Sequence, residues 1–120
     1  MLQEYFTFAG KTYRKFQIEL LGTTYNVFVK QGKYVSNDSL ALSVWDIGND
    51  DPEPFGMLTV NINNILVPEG FACVKNYSEN AEWAEKLALQ IGGKKTSLTA
   101  SSGYVDSIPV YDFRQLKIYA

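Results

Sequence analysis

Apolar and polar residues alternate with a period of two along most of the chain, and the helical period shows once. In Leu40-Ala41-Leu42-Ser43-Val44-Trp45-Asp46-Ile47, Leu40, Leu42 and Val44 share one face while Ala41, Ser43 and Trp45 share the other. Such alternation marks a strand with one buried face. The clearest instance comes next, where Leu58, Val60 and Ile62 alternate with Thr59, Asn61 and Asn63. Between the two lies Gly48-Asn49-Asp50-Asp51-Pro52-Glu53-Pro54. Its two prolines cannot continue a central strand, and its acids favour water. The pattern predicts an antiparallel hairpin of 40–47 with 58–63 across a long acidic tip.

The N-terminal third carries a short echo. Gly10-Lys11-Thr12-Tyr13-Arg14-Lys15-Phe16 is matched by Gly22-Thr23-Thr24-Tyr25-Asn26-Val27-Phe28. Each copy reads as a glycine turn leading into an aromatic and β-branched strand. Strands at about 4–8, 12–20 and 24–30 follow, linked as a meander by two hairpin corners. Lys33 to Ser39 is a polar corner with turn chemistry in Asn37-Asp38-Ser39, and Phe71 to Lys75 reads as a short strand.

From Ser78 to Ile91 the helical period takes over. Trp83, Leu87 and Ile91 recur at i, i+4 and i+8, and Glu79, Glu82 and Glu85 crowd the first turns, where the helix dipole favours negative charge. Asn80 or Ser78 is the expected N-cap, and Gly92-Gly93 the expected end. Lys94 to Ser107 reads as a long polar loop with at most one irregular strand. Val110 to Phe113 reads as the last strand, and Leu116, Ile118 and Tyr119 are expected to tie down the C-terminus. The expected fold is α+β, a curved antiparallel sheet of about six strands with one helix packed on one face. It would form one domain over 1–120, with an N-terminal β-meander at 1–31 and a sheet plus helix at 32–120.

Composition narrows the function classes. At 120 residues, 46% hydrophobic and 20% charged, the chain can bury one real core. Thirteen acidic against eleven basic residues give a net charge of −2, without the basic excess that duplex DNA binding through counterion release uses. No apolar run is long enough to span a bilayer, and Met1-Leu2-Gln3-Glu4-Tyr5 lacks a basic start and an apolar signal core, so the expected address is the cytoplasm. The single cysteine, Cys73, cannot form an internal disulfide.

Catalytic groups are scarce. There is no histidine, so Ser–His–Asp and Cys–His arrangements cannot form, and carboxylates with one thiolate make a poor zinc set. Cys73, between Ala72 and Val74, reads as a small core hydrophobe. Asp50, Asp51 and Glu53 lack the ligand spacing of an EF-hand. Gly92-Gly93-Lys94-Lys95-Thr96 fails as a phosphate loop because the helix precedes the glycines. Ser101-Ser102-Gly103-Tyr104 offers hydroxyls without an activating base and reads as a turn. Asn37-Asp38-Ser39 and Asn76-Tyr77-Ser78 match the glycosylation pattern but have no secretion signal beside them. Tyr34, Tyr77 and Tyr104 lie in or beside predicted loops, and tyrosine is favoured at protein interfaces.

Asn37, Leu40-Ala41, Leu58-Thr59-Val60-Asn61, Ala72, Val74, Asn76, Trp83-Ala84-Glu85, Ser102-Gly103, Tyr111 and Phe113 appear in an order that is familiar. On them, the run from Gly32 through Phe113 resembles domain of unknown function 4313, a family of small proteins from plasmids, conjugative elements and phages of Gram-positive bacteria. The resemblance implies that Trp83 docks the helix and that the first dozen or so residues are an addition. It also implies a mobile-element setting, where small accessory proteins occupy another protein's surface and some, such as anti-CRISPR proteins, inhibit host defence.

The expected function is thus a non-enzymatic protein-binding accessory protein of a phage or mobile element, acting on a host or defence-system protein, with no cofactor or metal. Its expected contact surfaces are the acidic segment with Asp50, Asp51, Glu53 and Phe55, and the segment with Lys94, Lys95 and Tyr104. The alternatives are single-stranded nucleic-acid binding, with Trp45 and Phe55 stacking near Lys94 and Lys95, an enzyme using carboxylates alone, a small-ligand-binding domain, and a purely structural or assembly role. An exposed sheet edge also leaves a homodimer open.

Overall fold

The computed structural model describes residues 4–62 and 67–120. In chain order these form β1 (Tyr5–Phe8), β2 (Lys11–Arg14), β3 (Phe16–Leu20), β4 (Thr23–Lys33), β5 (Leu40–Asp46), β6 (Glu53–Met57), β7 (Thr59–Val60), β8 (Phe71–Val74), a 3-10 turn (Ser78–Asn80), α1 (Ala84–Gln90), β9 (Lys94–Ala100) and β10 (Ile108–Asp112). The architecture is mostly β with one helix, in keeping with the α+β class. The expected single sheet of about six strands is not what forms. Three antiparallel sheets replace it: the hairpin β1-β2, a four-stranded sheet ordered β3-β4-β5-β6, and a second ordered β7-β8-β10-β9.

Both glycine corners of the N-terminal echo are two-residue turns with positive φ at both central positions, Ala9-Gly10 and Leu21-Gly22. That is the geometry whose twist matches the flanking strands. The expected strand at 12–20 divides at Lys15, whose N–H donates to the Glu4 carbonyl at 2.8 Å. The part before it stays in the β1-β2 hairpin and the part after it joins β4. The hairpin then lies over the first sheet, where Tyr13, Phe28 and Ile47 form a small buried cluster flanked by Phe6, Phe8 and Trp45.

The expected pairing of 40–47 with 58–63 is corrected. β5 pairs with β6, with Val44 opposite Gly56 and Asp46 opposite Glu53, so the acidic tip is short and Pro54 sits on an edge strand, where a missing N–H is tolerated. At Leu58 the chain leaves this sheet. Its N–H donates to the Leu42 carbonyl at 2.9 Å, while its own carbonyl accepts the Lys75 N–H at 2.8 Å. Of the predicted strand only Thr59 and Val60 pair, and their partners are Val74 and Cys73. Asn63, its last residue, lies outside the described residues.

The main core fills the space between the two four-stranded sheets and α1. Val27 and Val29 of β4, Leu42 and Val44 of β5, Leu58, Val74, Trp83, Leu87, Ile91, Tyr111 and Ile118 all reach it. Trp83, Leu87 and Ile91 are buried as their spacing predicts, but the helix is shorter than 78–91. Asn80 and Ser78 do not cap it. The Asn80 amide donates to the Met57 carbonyl and the Trp83 indole N–H to the Glu79 carbonyl at 3.1 Å, so the first turns serve tertiary and local bonds in place of the helical ladder. The C-terminal end holds as expected. The Gly92 and Gly93 N–H groups donate back to Leu89 and Ala88, a Schellman ending with Gly92 at φ +96°. Further on, the Arg14 N–H donates to the Ile118 carbonyl and the Ala120 N–H to Thr12, tying down the C-terminus.

Seven residues are too few for a stable isolated helix, so packing and this ending hold α1 in place. A Cβ at Gly93 would meet the Ala88 carbonyl oxygen at 2.6 Å and the Phe113 ring at 2.7 Å. Gly93→Ala is therefore expected to cost about 2–3 kcal/mol through overpacking and to lower the melting temperature by roughly 10 °C. Thermal unfolding followed by circular dichroism checks this, and a shift under about 2 °C would mean that the helix end is not tightly packed.

Candidate functional site

The edge of the second sheet is β9, joined to the buried β10 in a hairpin. The segment expected as a loop from Lys94 is a seven-residue strand at the sheet edge. Its ladder is interrupted. Lys95 lies opposite Tyr111 and Thr99 opposite Pro109, so three residues of β9 face Val110 alone. The Thr96 hydroxyl bridges the gap by donating to the Val110 carbonyl at 2.7 Å and accepting the Leu98 N–H at 3.1 Å. This bulge accommodates Pro109 in an otherwise central strand and breaks up an open edge. It also leaves Leu98 half in solvent, at 52% exposure.

Beyond β9 the chain turns over residues 101–107. The Ser102 N–H donates to the Val105 carbonyl at 3.1 Å, and the Val105 N–H to the Ser102 hydroxyl at 3.2 Å. The Ser101 hydroxyl bonds Asp106 at 2.9 Å, and Gly103 takes a φ of +93°. Val105 packs against the cluster of Ile62, Cys73, Ala100, Ile108 and Val110 on the outer face of the second sheet. Tyr104, at the tip, is fully exposed. The turn is held by its own bonds and its aromatic side chain packs on nothing.

The base of β9 is pinned to α1. The Tyr111 hydroxyl donates to Glu85 Oε1 at 2.6 Å, Lys95 Nζ lies 2.9 Å from the same oxygen, and the Asn76 amide donates to Glu85 Oε2 at 3.2 Å. Burial pushes the Glu85 carboxyl up, but the bonds from Tyr111, Lys95 and Asn76 outweigh it and the net pKa is below its ordinary value. Burial, reinforced by the same bond to Glu85, raises the Tyr111 phenol strongly, so the proton stays on tyrosine. The cluster is a structural clamp with its charges matched.

The expected site residues fall into separate places. Asp50, Asp51 and Glu53 are exposed at the β5-β6 turn of the first sheet. Phe55 is half-buried, with its ring 5.2 Å from both Tyr25 and Trp83. Lys94 and Lys95 stand at the start of β9 in the second sheet, and Tyr104 lies past its far end, roughly 20 Å along the strand by its rise. Trp45 lies over Phe28 toward the β1-β2 hairpin, capped by Lys30 at 5.0 Å, whereas Phe55 faces Trp83 in the core. The two aromatics thus point to opposite faces of one sheet and share no stacking platform. Tyr34 bonds the Thr59 hydroxyl at 2.9 Å and Tyr77 packs in the outer cluster, leaving Tyr104 as the exposed member of the three tyrosines. Cys73 is buried, its thiol pKa raised by that burial.

Among the described residues no three acidic or cysteine side chains group closely enough to hold a metal ion, and no helix is long and apolar enough to cross a membrane. A recess of about 530 Å³ is walled by Lys33, Asn37, Glu69, Phe71 and Arg114. Arg114 is engaged in a forked pair with Asp112 at 2.9 Å and lies over the Phe71 ring, and the remaining cation, Lys33, shares the lining with Asp38 and Glu69, so the recess has no net positive charge to offer an anion.

Known proteins give no match to this chain, among family models, curated proteins or solved structures. The resemblance to domain of unknown function 4313 rests on the residues quoted for it alone. Pattern reading missed Leu98 and the Glu85 clamp. The β-branched and apolar content of Thr96-Ser97-Leu98-Thr99-Ala100 carries a strand signal, but a bulge shifts its alternation.

Glu85 predicts a pH dependence. Its folded pKa is depressed below 4.5, so its contribution is complete above that pH and is lost as pH falls through the folded value. Glu85→Gln should lower the melting temperature at pH 7, and its deficit against the parent chain should shrink below about pH 4.5. A deficit that stays constant from pH 7 to pH 2.5 would show that the carboxylate's charge adds nothing.

Proposed function

We propose that this chain is a non-catalytic protein-binding domain that recognises its partner through the tip of the β9-β10 hairpin. The observation that carries this is Tyr104, wholly exposed on a turn closed by hydrogen bonds of its own serines. A rigid turn built from Ser and Gly that presents tyrosine loses little entropy on binding and brings a large amphipathic contact. Leu98, on the bulge of the same hairpin, adds apolar area. Neither side chain contributes to the core. The family resemblance supports a mobile-element setting and a host or defence-system protein as target, with inhibition of that target as the activity.

The test places a photo-crosslinking amino acid at position 104, and separately at position 50, in the full chain expressed in a Gram-positive host. A single protein partner should crosslink from 104. Tyr104→Ala should then weaken that partner's binding at least tenfold, since exposed tyrosines at interface centres act as hot spots. It should leave the melting temperature within about 2 °C, as surface substitutions usually do. Retention of the partner by Tyr104→Ala, or crosslinking from position 50 alone, would move recognition away from this tip.

A further inference from the structure

A second surface, on the other four-stranded sheet, has the geometry to receive an extended peptide. β3 is an edge strand, and α1 runs beside it against Ile18 in the core. Between them lies a groove of about 340 Å³, lined by Gln17, Ile18 and Glu19 on one side and Glu82, Trp83, Lys86 and Gln90 on the other. Glu82, Lys86 and Gln90 follow at intervals of four, so they form one exposed row beside the strand.

The register sets which backbone groups face the groove. Leu20 and Thr23 flank the two-residue turn, which makes them a hydrogen-bonded pair. Bonded pairs recur at every second residue, so Ile18 with Tyr25 and Phe16 with Val27 also bond inward. Gln17 and Glu19 consequently direct their N–H and C=O groups away from β4. One of these groups already accepts an amide: the Gln90 side chain donates to the Gln17 carbonyl at 3.3 Å. A side-chain amide there occupies the position that the backbone N–H of an added strand would take.

The groove also has a charge preference. Glu19 and Glu82 are exposed acids that line the groove together with a single cation, Lys86. Among the described residues none of the three forms an ion pair within 4 Å. With two carboxylates against one ammonium the lining is net negative, so it favours an added strand with basic side chains and repels an acidic one.

We infer that the β3–α1 groove binds an extended, basic segment of a partner protein by strand addition, with Gln17 and Glu19 supplying the backbone pairing and Glu19 and Glu82 selecting the charge. This site is independent of the Tyr104 tip, so either can fail without the other.

The probe is a phage-displayed library of random octapeptides, selected on the intact chain and counter-selected on Glu19→Pro. Proline at this edge position removes an outward N–H while leaving the bonds to β4, and its melting temperature should confirm folding. Enriched peptides should carry Lys or Arg and should slow amide hydrogen exchange at Gln17 and Glu19 at least tenfold. A Glu19→Lys, Glu82→Lys double variant leaves the strand's backbone donors in place, and it should reverse the preference toward acidic peptides. Absence of peptides that discriminate against Glu19→Pro would overturn the inference, as would binders without charge preference. Concentration-dependent protection of Gln17 and Glu19 without peptide, together with a dimer in sedimentation, would assign the edge to a second copy of the chain instead.

Discussion

Leu42, Leu58 and Thr59 form the joint on which the rest of the molecule depends. Leu42 accepts the Leu58 N–H through its carbonyl, and its own N–H donates to the Thr59 hydroxyl at 3.1 Å. Leu58 then accepts Lys75, the residue after β8, so one residue carries a ladder bond in each of two sheets. All three residues are buried, where an unpaired backbone group would cost about 1–3 kcal/mol, and every one of these bonds is made away from water. The joint sets the separation of the sheets, and the main core with α1 occupies the space it opens.

Both sheets are consequently packed on two faces. In β4 the successive residues Val27, Phe28 and Val29 are all buried, with the valines in the main core and Phe28 under the β1-β2 hairpin. In β8, Ala72 and Val74 face the main core while Cys73 faces the outer cluster. With the central strands covered on both faces, the surfaces left for recognition are the edge strands and turns. The edges are managed differently. β9 carries two lysines and a bulge, which disfavour strand addition, whereas β3 keeps a regular register and has α1 beside it. The bulge on β9 in turn pushes Leu98 outward and leads to the turn that displays Tyr104.

The legibility of each element followed from the range of the interaction behind it. The Ala9-Gly10 and Leu21-Gly22 corners were readable because a two-residue turn is specified by its own residues. The burial of Trp83, Leu87 and Ile91 was readable from their spacing, and so was the glycine ending. The N-terminal limit of the helix was not. Asn80 reads as a cap until Met57, far away in sequence, supplies a carbonyl for its amide. Strand pairing failed for a similar reason. The strongest alternation, at 58–62, suggested the partner of β5, yet Glu53-Pro54-Phe55-Gly56-Met57, without any alternation, took that place because the chain changes sheets at Leu58.

The sequence by itself determined the β-rich class, the one helical face, the two N-terminal corners and the lack of histidine chemistry, since each follows from local pattern or from composition. Tertiary structure decided how the strands divide among three sheets, and that Phe55 packs in the core side of one sheet while Tyr104 stands free on another. It also brought Asn76, Glu85, Lys95 and Tyr111 into a single clamp. The physical reason is that alternation reports that a strand has an inside, but not which inside. With three sheets and three buried clusters available, only contacts between residues distant in sequence could choose.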